Sequence, residues 1–207
     1  MVAILIGAIA FQLLPGQASS TSTTRSTSPA ALVSSPLHQP PALPATSVTS
    51  ATGDGGRLGT ADGRVPEGVT VFRDDVPAVA KLDPKLLAAL RQAATDAAAD
   101  GVTFEVNGGW RSADYQSELL REAEAEYGSE AEAARWVARP NRSQHVSGDA
   151  VDLAAAASSW LSEHGASYGL CQIYDNERWH YELRPDAVTR GCPARWADAA
   201  HDPRMQE

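Results

Sequence analysis

The sequence contains only two cysteines and no cluster of positive charge, and both shortages narrow the class of protein. Cys171 and Cys192 lie far apart in a chain of 207 residues, whereas a zinc knuckle needs paired cysteines a few residues apart. Lysine and arginine together number 17 against 26 acidic residues, which gives a net charge of -9. Without a basic cluster to contact phosphates, we exclude a nucleic-acid-binding protein.

The first quarter of the chain has almost no charge: up to Gly53 the only charged side chain is Arg25. Its apolar run, residues 2–14, is shorter than the roughly 20 residues of a membrane span, and small residues follow it. The basic residues that usually precede an export signal are missing. We expect residues 1–18 to be a signal peptide or a membrane anchor, with a cytosolic protein of misassigned start as the alternative.

Residues 19–52 are mostly Ser, Thr, Pro and Ala. Such a segment has too little apolar surface to offset the entropy lost on ordering, so it predicts a disordered linker. We place this linker at residues 19–63. The remaining residues, 64–207, suffice for one compact domain with its own core.

The predicted domain begins with helices that have clear start and stop signals. Asp83 is a candidate helix cap, Pro84 suits the first turn and Gly101 suits the end. The alternating residues 102–106 then predict a strand, and Ser112 is the candidate cap of a second long helix.

The second half of the domain is predicted to contain short elements, ending in two strands of a hairpin. Helices that precede antiparallel strands favour an α+β fold with a small antiparallel sheet flanked by helices. The predicted elements are a helix in 129–138, a strand at 150–154, a helix at 158–165 and strands at 170–174 and 179–183.

Two short stretches contain residue types suited to metal chemistry. The stretch "NRSQHVSGDAVDLA" contains His145 and Asp152, and "NERWHYEL" contains His180 and Glu177. A catalytic zinc site has three protein ligands and an open position, with a carboxylate nearby to move a proton. Each residue alone is weak support, because a lone histidine is more often a surface or core residue. Together they predict a zinc site.

These stretches carry a family resemblance. "SQHVSGDAVDL" matches S-x-H-x-x-G-x-A-x-D and "ERWH" matches E-x-W-H, while "GGWRSADYQ" and "ARPNRSQH" match further segments. The sequence thus resembles the VanY-like D-alanyl-D-alanine carboxypeptidases, zinc peptidases of bacterial cell-wall metabolism, over residues 64–184. The resemblance implies a small α+β domain shared with other cell-wall zinc peptidases and with the hedgehog signalling domain.

The resemblance also implies residue roles. His145, Asp152 and His180 would bind one zinc ion, and Glu177 would act as general base and then as general acid. Arg111 would stabilise the negative charge that develops on the scissile carbonyl, although pairing with a surface carboxylate is its alternative.

Other expected roles lie around this centre. Gln116 and Ser143 would hold the terminal carboxylate or neighbouring peptide groups of the substrate. Trp179 adjoins a ligand and would shape the pocket, and Glu182 is a candidate partner that orients His180.

The two cysteines predict one disulfide if the chain is exported. A bond between Cys171 and Cys192 would close a loop of about 20 residues, contribute about 3 kcal/mol and fasten the predicted hairpin. Two free buried thiols, or two zinc ligands, are the alternatives.

We therefore expect an exported, monomeric zinc metallopeptidase that removes the terminal D-alanine from peptidoglycan stem peptides, either secreted to the cell wall or anchored to the membrane. An L,D-carboxypeptidase or a wall endopeptidase on the same zinc site is the alternative, and a dipeptidase is less expected outside the membrane. A zinc-containing wall-binding module is the alternative of another class. Intact Glu177 and Arg111 argue against it, because a pure binder needs no proton shuttle.

Overall fold

The computed structural model describes residues 58–206, so the predicted signal segment 1–18 and most of the predicted linker lie outside the described residues. The last part of that predicted linker, 58–63, is folded. Thr60–Asp62 forms a 3-10 turn, and the backbone N–H of Ser112 donates to the Asp62 carbonyl at 2.8 Å. The folded part therefore extends on the N-terminal side of residue 64, where the sequence predicted the boundary.

Within the described residues, four short strands form one antiparallel sheet in the order β1-β2-β4-β3. The strands are β1 (Val106–Gly108), β2 (Ala150–Leu153), β3 (Leu170–Gln172) and β4 (His180–Leu183). β3 and β4 are neighbours in the sheet and consecutive in sequence, as the hairpin prediction required. The α+β class and the antiparallel sheet are confirmed.

Helices precede, separate and follow these strands. They are α1 (Pro77–Ala80), α2 (Pro84–Ala97), α3 (Ala113–Tyr127), α4 (Glu130–Ala133), α5 (Gln144–Ser147), α6 (Ala155–His164) and α7 (Ala187–Arg190). The predicted caps are confirmed, since the Asp83 side chain accepts from two backbone N–H groups at the start of α2 and Ser112 caps α3. Gly101 ends the α2 segment in the left-handed conformation, with φ 74°.

The strand predicted at 102–106 begins later, at Val106. Its residues pair instead with an irregular segment: the N–H of Val71 donates to the Phe104 carbonyl at 3.2 Å, and the N–H of Val106 donates to the Val69 carbonyl at 2.7 Å. This pairing is too short to form a regular ladder. The segment is therefore extended and buried in alternation, but it is a strand only at its end.

Two predicted helices also differ in length. The helix in 129–138 shrinks to the single turn of α4. α6 begins three residues earlier than predicted, because the alanines at 155–157 are strong helix formers and extend it.

The core lies between α2, α6 and one face of the sheet. Its largest fully buried members include Leu86, Leu90, Phe104, Leu153 and Tyr181. Since side chains alternate along a strand, Val151 and Tyr181 face this core. Asp152, His180 and Glu182 therefore face the opposite side of the sheet, where the candidate site forms.

The chain after α7 forms a C-terminal tail, which we define as residues 192–206. Cys171 of β3 and Cys192 form a disulfide, as predicted. The backbone N–H of Trp196 donates to the Ile173 carbonyl at 2.9 Å, and the N–H of Asp175 donates to the Trp196 carbonyl at 2.8 Å. The tail is thus bound along the segment that connects β3 to β4. No helix in residues 58–206 has the length and apolar character to cross a membrane.

Candidate metal centre

Three potential metal ligands converge on the face of the sheet opposite the core. His145 comes from α5, Asp152 from β2 and His180 from β4, and Asp152 stands directly opposite His180 in the strand register. Asp152 Oδ1 lies 3.4 Å from His145 Nε2 and 3.3 Å from His180 Nδ1. The ligand atoms of the three residues all lie within 4.8 Å of one another, and all three residues are buried. The structure therefore brings together the three residues predicted to bind metal.

The turn between α5 and β2 explains the spacing of the first two ligands. Gly148 ends α5 with φ 85°, a conformation that favours glycine. A Cβ atom at this position would lie 2.6 Å from the Lys81 carbonyl oxygen. The tight turn then leads into β2, where alternation directs Asp152 back toward His145.

Each histidine has its second ring nitrogen directed at an acceptor. His145 Nδ1 lies 2.9 Å from the Gly109 carbonyl oxygen, and His180 Nε2 lies 3.3 Å from Glu182 Oε1. Acceptors of this kind fix the tautomer of a metal-binding histidine and leave its other nitrogen for the metal. Two imidazole nitrogens and one carboxylate match the three protein ligands of a catalytic zinc site with an open fourth position. The residues present fit zinc.

Charge around the two histidines acts in opposite directions. Burial and the Arg111 cation lower the pKa of His145. Burial also lowers that of His180, but hydrogen bonds to Asp152 and Glu182 outweigh it and raise the pKa of His180 to about 10. A metal ion held by His180 would replace a proton of its ring.

Glu177 lies beside the three ligands. Its Oε2 atom is 3.7 Å from His180 Nδ1, and only 7% of the residue is exposed. Burial raises the pKa of Glu177 to about 8, although the cations of His180 and Arg111 oppose the shift. A carboxyl group that changes protonation near neutral pH is suited to accept and return a proton.

Arg111 contacts the site through Asp152. Its Nη2 donates to Asp152 Oδ2 at 2.6 Å, and its Nη1 donates to Gln116 Oε1 at 3.2 Å. Burial raises the pKa of Asp152, but His145, His180 and Arg111 outweigh it and hold that pKa well below its usual range. Asp152 is therefore an anion that faces the histidines with one oxygen and Arg111 with the other.

The three residues predicted to contact the substrate have different surroundings in the structure. Gln116 is buried and also donates from Nε2 to the Ala138 carbonyl at 2.9 Å, so both ends of its amide are bonded within the protein. Ser143 is buried at the start of α5, and its hydroxyl does not cap that helix. Trp179 is half-buried and immediately precedes His180.

Two glycines contribute to the site in a way that the sequence did not reveal. Gly108 faces Asp152 across β1 and β2, and a Cβ there would lie 2.5 Å from Asp152 Oδ2 and 2.9 Å from Arg111 Nη2. Gly109 supplies the carbonyl that holds His145. In the sequence, the Gly-Gly pair before Trp110 was the available signal for this close packing.

Comparison with known proteins identifies a family for this chain. Residues 79–186 match the family described as VanY, D-alanyl-D-alanine carboxypeptidase. A curated D-alanyl-D-alanine carboxypeptidase of Enterococcus faecalis (strain ATCC 700802 / V583) is 32% identical over 127 residues, which cover 49% of this chain and 47% of that protein. This chain thus spans about half the length of that relative.

Two solved structures are similar to part of this chain. VanYB in complex with D-alanine-D-alanine has 30% sequence identity and a TM-score of 0.49, with 53% of this chain and 75% of that chain covered. The LdcB LD-carboxypeptidase has 21% identity and a TM-score of 0.49, with 61% of this chain and 71% of that chain covered.

Proposed function

Because the chain belongs to the VanY family of D-alanyl-D-alanine carboxypeptidases, we propose that it is a zinc-dependent D,D-carboxypeptidase. Its substrates are peptidoglycan stem peptides, from which it hydrolyses the terminal D-alanine. The observation that carries the proposal is the convergence of His145, Asp152 and His180, with Glu177 beside them, inside the matched stretch.

One zinc ion would be held by His145, His180 and the Asp152 carboxylate. Zinc supplies a Lewis acid that polarises a carbonyl and makes water acidic enough to lose a proton near neutral pH. The chain's own residues orient these three donors. The Gly109 carbonyl holds the His145 ring and the Glu182 carboxylate holds the His180 ring.

Glu177 is the proton carrier of the proposed reaction. Its carboxylate accepts the proton of the attacking water and later donates it to the leaving amine of D-alanine. Burial favours this role because it raises the pKa of Glu177 to about 8, close to the pH at which the enzyme would work.

Arg111 stabilises the oxygen of the scissile carbonyl as that oxygen gains negative charge. Asp152 and Gln116 each accept one hydrogen bond from its guanidinium, which has five N–H donors in all. These two contacts fix the cation in advance, and a fixed donor of this kind contributes about 3 kcal/mol to transition-state stabilisation.

The remaining contacts serve the bound peptide. Ser143 and Trp179 lie close to the metal ligands in sequence and line the proposed substrate pocket. The Ser143 hydroxyl donates to the terminal carboxylate or to peptide groups of the substrate. Gln116 contributes to substrate binding through Arg111, because both ends of its amide are already bonded within the protein.

The proposed substrate lies outside the cytoplasmic membrane. We therefore also propose that the chain is exported and acts as a monomer, either in the cell wall or anchored on the outer face of that membrane. The apolar run at residues 2–14 supports export. The disulfide between Cys171 and Cys192 supports an oxidising compartment.

The test is mass spectrometry of a synthetic stem pentapeptide ending in D-Ala-D-Ala, incubated with the zinc-loaded protein. Wild type, Glu177→Ala and the control Glu163→Ala are compared, since the Glu163 side chain is 77% exposed. We expect wild type and the control to remove one alanine, and Glu177→Ala to lose about two to four orders of magnitude in rate while retaining zinc.

The other outcomes separate the alternatives. Cleavage of the tetrapeptide instead of the pentapeptide identifies an L,D-carboxypeptidase, and cleavage of cross-linked wall alone identifies an endopeptidase. If zinc binds and none of these substrates is cut, the chain is a wall-binding module and the proposal is wrong.

A further inference from the structure

A closed ring of contacts joins the ligand His180 to the C-terminal tail. His180 Nε2 lies 3.3 Å from Glu182 Oε1, and Arg204 donates to both oxygens of Glu182, at 2.8 Å from Nη1 and 3.1 Å from Nη2. Arg204 also donates to Asp202, at 2.5 Å from Nη2. The Tyr174 hydroxyl donates to Asp202 at 3.0 Å, and the Tyr174 ring returns to the His180 ring with centroids 5.1 Å apart.

Burial makes this ring energetically demanding. Glu182 is fully buried and Asp202 and Tyr174 are nearly so. A buried carboxylate is tolerated only when cations and hydrogen bonds compensate for its lost hydration. Arg184 gives Glu182 one such contact, at 2.6 Å, and Arg204 gives two. A paired contact of this kind fixes the orientation of a carboxylate as well as its charge.

The tail brings Arg204 to this position through several anchors. The disulfide holds its first residue, and the hydrogen bonds of Trp196 hold its middle. Asp198 is buried and accepts from Arg135 Nε at 2.9 Å. All of these residues of the tail lie beyond 79–186, the stretch that matches the family.

We propose that Arg204 is a positioning residue for the metal ligand His180 and acts through Glu182. Arg204 fixes the Glu182 carboxylate so that Oε1 accepts the proton on His180 Nε2. His180 Nδ1, which faces Asp152, is thereby left free to bind the metal. Arg204 itself contacts neither metal nor substrate. The inference rests on the zinc site of the proposed function.

The primary test measures zinc affinity, not catalysis. Zinc dissociation constants are determined by competition with a chromophoric chelator for wild type, Arg204→Gln, Arg204→Lys and the control Arg190→Gln. Arg190 is an exposed arginine of α7 that pairs with Asp186. Melting of the zinc-free proteins is recorded first, so that only folded variants are compared.

We expect Arg204→Gln to weaken zinc binding about tenfold, because loss of a partner that orients a ligand has effects of that order. The zinc affinity of Arg204→Lys is expected to lie between those of wild type and Arg204→Gln, since a single ammonium cannot reproduce the planar contact with both carboxylate oxygens. The visible absorption spectrum of the Co²⁺-loaded protein changes in Arg204→Gln and not in the control, because the ligand geometry has changed.

A double-mutant comparison tests the route through Glu182. In a Glu182→Gln background, Arg204→Gln is expected to change zinc affinity by less than about twofold, because residues that act through one shared contact are not additive. A full additional loss in that background overturns the inference.

The inference is also overturned if Arg204→Gln binds zinc within about twofold of the Arg190→Gln control, the scatter expected for independent sites. If Arg204→Gln does not fold, Arg204→Lys is held to the same two outcomes. A wild-type chain that binds no zinc contradicts the proposed function as well. That result is distinct from one in which wild type binds zinc and Arg204 has no effect.

Discussion

The two histidines of the candidate metal centre are held by different kinds of support. His145 donates from Nδ1 to a neutral backbone carbonyl, that of Gly109, on a segment packed closely against α1. His180 is held by the buried carboxylate of Glu182, which two arginines compensate. The pKa of His145 is lowered by burial and by the Arg111 cation, whereas hydrogen bonds to Asp152 and Glu182 raise the pKa of His180. One ligand therefore depends on backbone geometry and the other on a network of charges.

Removing the metal and each histidine in turn tests this difference most strongly. At zinc concentrations about 1,000 times the dissociation constant, zinc is expected to raise the free energy of unfolding of wild type by about 4 kcal/mol. His145→Ala and His180→Ala should both lose that increment. Without zinc, the His180→Ala variant is expected to be about 1 kcal/mol less stable than the His145→Ala variant. The reason is that hydrogen bonds to charged groups contribute more to stability than hydrogen bonds to neutral groups.

Urea unfolding of the three proteins, with EDTA and with zinc, measures these quantities. Equal stabilities of the two zinc-free variants would contradict the distinction between charged and neutral support. Retention of the zinc increment in either variant would show that this histidine is not a ligand.

Loss of the disulfide is expected to act on the His180 side alone. Replacing Cys171 and Cys192 together by alanine removes a link that spans 21 residues of sequence, and the free energy of unfolding should fall by about 3 kcal/mol. The tail then holds Arg204 less firmly, so zinc affinity should fall as well.

Urea unfolding of the zinc-free double variant and a zinc titration of the folded protein check both effects. His145 serves as the internal control: its NMR ring signals should stay unchanged in the zinc-free protein while those of His180 shift. A shift of both rings to the same extent would show that the tail supports the whole site.

A glycine substitution is expected to act on the His145 side and to have the smallest effect. Gly148 and Gly128 both have positive φ, 85° and 78°, so alanine at either position suffers similar backbone strain. Only at Gly148 would the added Cβ meet another group, the Lys81 carbonyl oxygen. Gly148→Ala should therefore be less stable than Gly128→Ala by about 1–3 kcal/mol, the usual cost of overpacking.

Thermal or urea unfolding of the two alanine variants gives this difference directly. Equal losses would mean that the loop before β2 relaxes without cost and that backbone strain alone explains the cost of a side chain at Gly148.

The features that depend on local chemistry could be predicted from the sequence. The caps of α2 and α3 and the pairing of Cys171 with Cys192 follow from residue types with strong positional preferences. The three candidate metal ligands and Glu177 were singled out because residue types suited to zinc chemistry occur together in two short stretches that match motifs of the family. Glu182 was recognised as a candidate partner of His180 because alternate residues of a strand share a face.

Other features depended on contacts distant in sequence. Arg204 lies 22 residues from Glu182, and nothing in the sequence around it distinguishes it from an ordinary surface arginine. Residues 58–63 belong to a stretch with the composition of a linker, yet the backbone N–H of Ser112 donates to the Asp62 carbonyl and holds them in place. The space left by Gly108 becomes meaningful only when β1 and β2 are placed side by side.

Asp152 divides its carboxylate between two tasks, and this limits how the position can change during evolution. Histidine is also an accepted zinc ligand, so coordination chemistry alone would permit an exchange. Such an exchange would remove the carboxylate that accepts from Arg111 at 2.6 Å and leave three imidazole rings beside a guanidinium that no carboxylate neutralises. We therefore expect the arginine and the aspartate to change together, because a lineage that replaces Asp152 would also have to compensate the charge of Arg111.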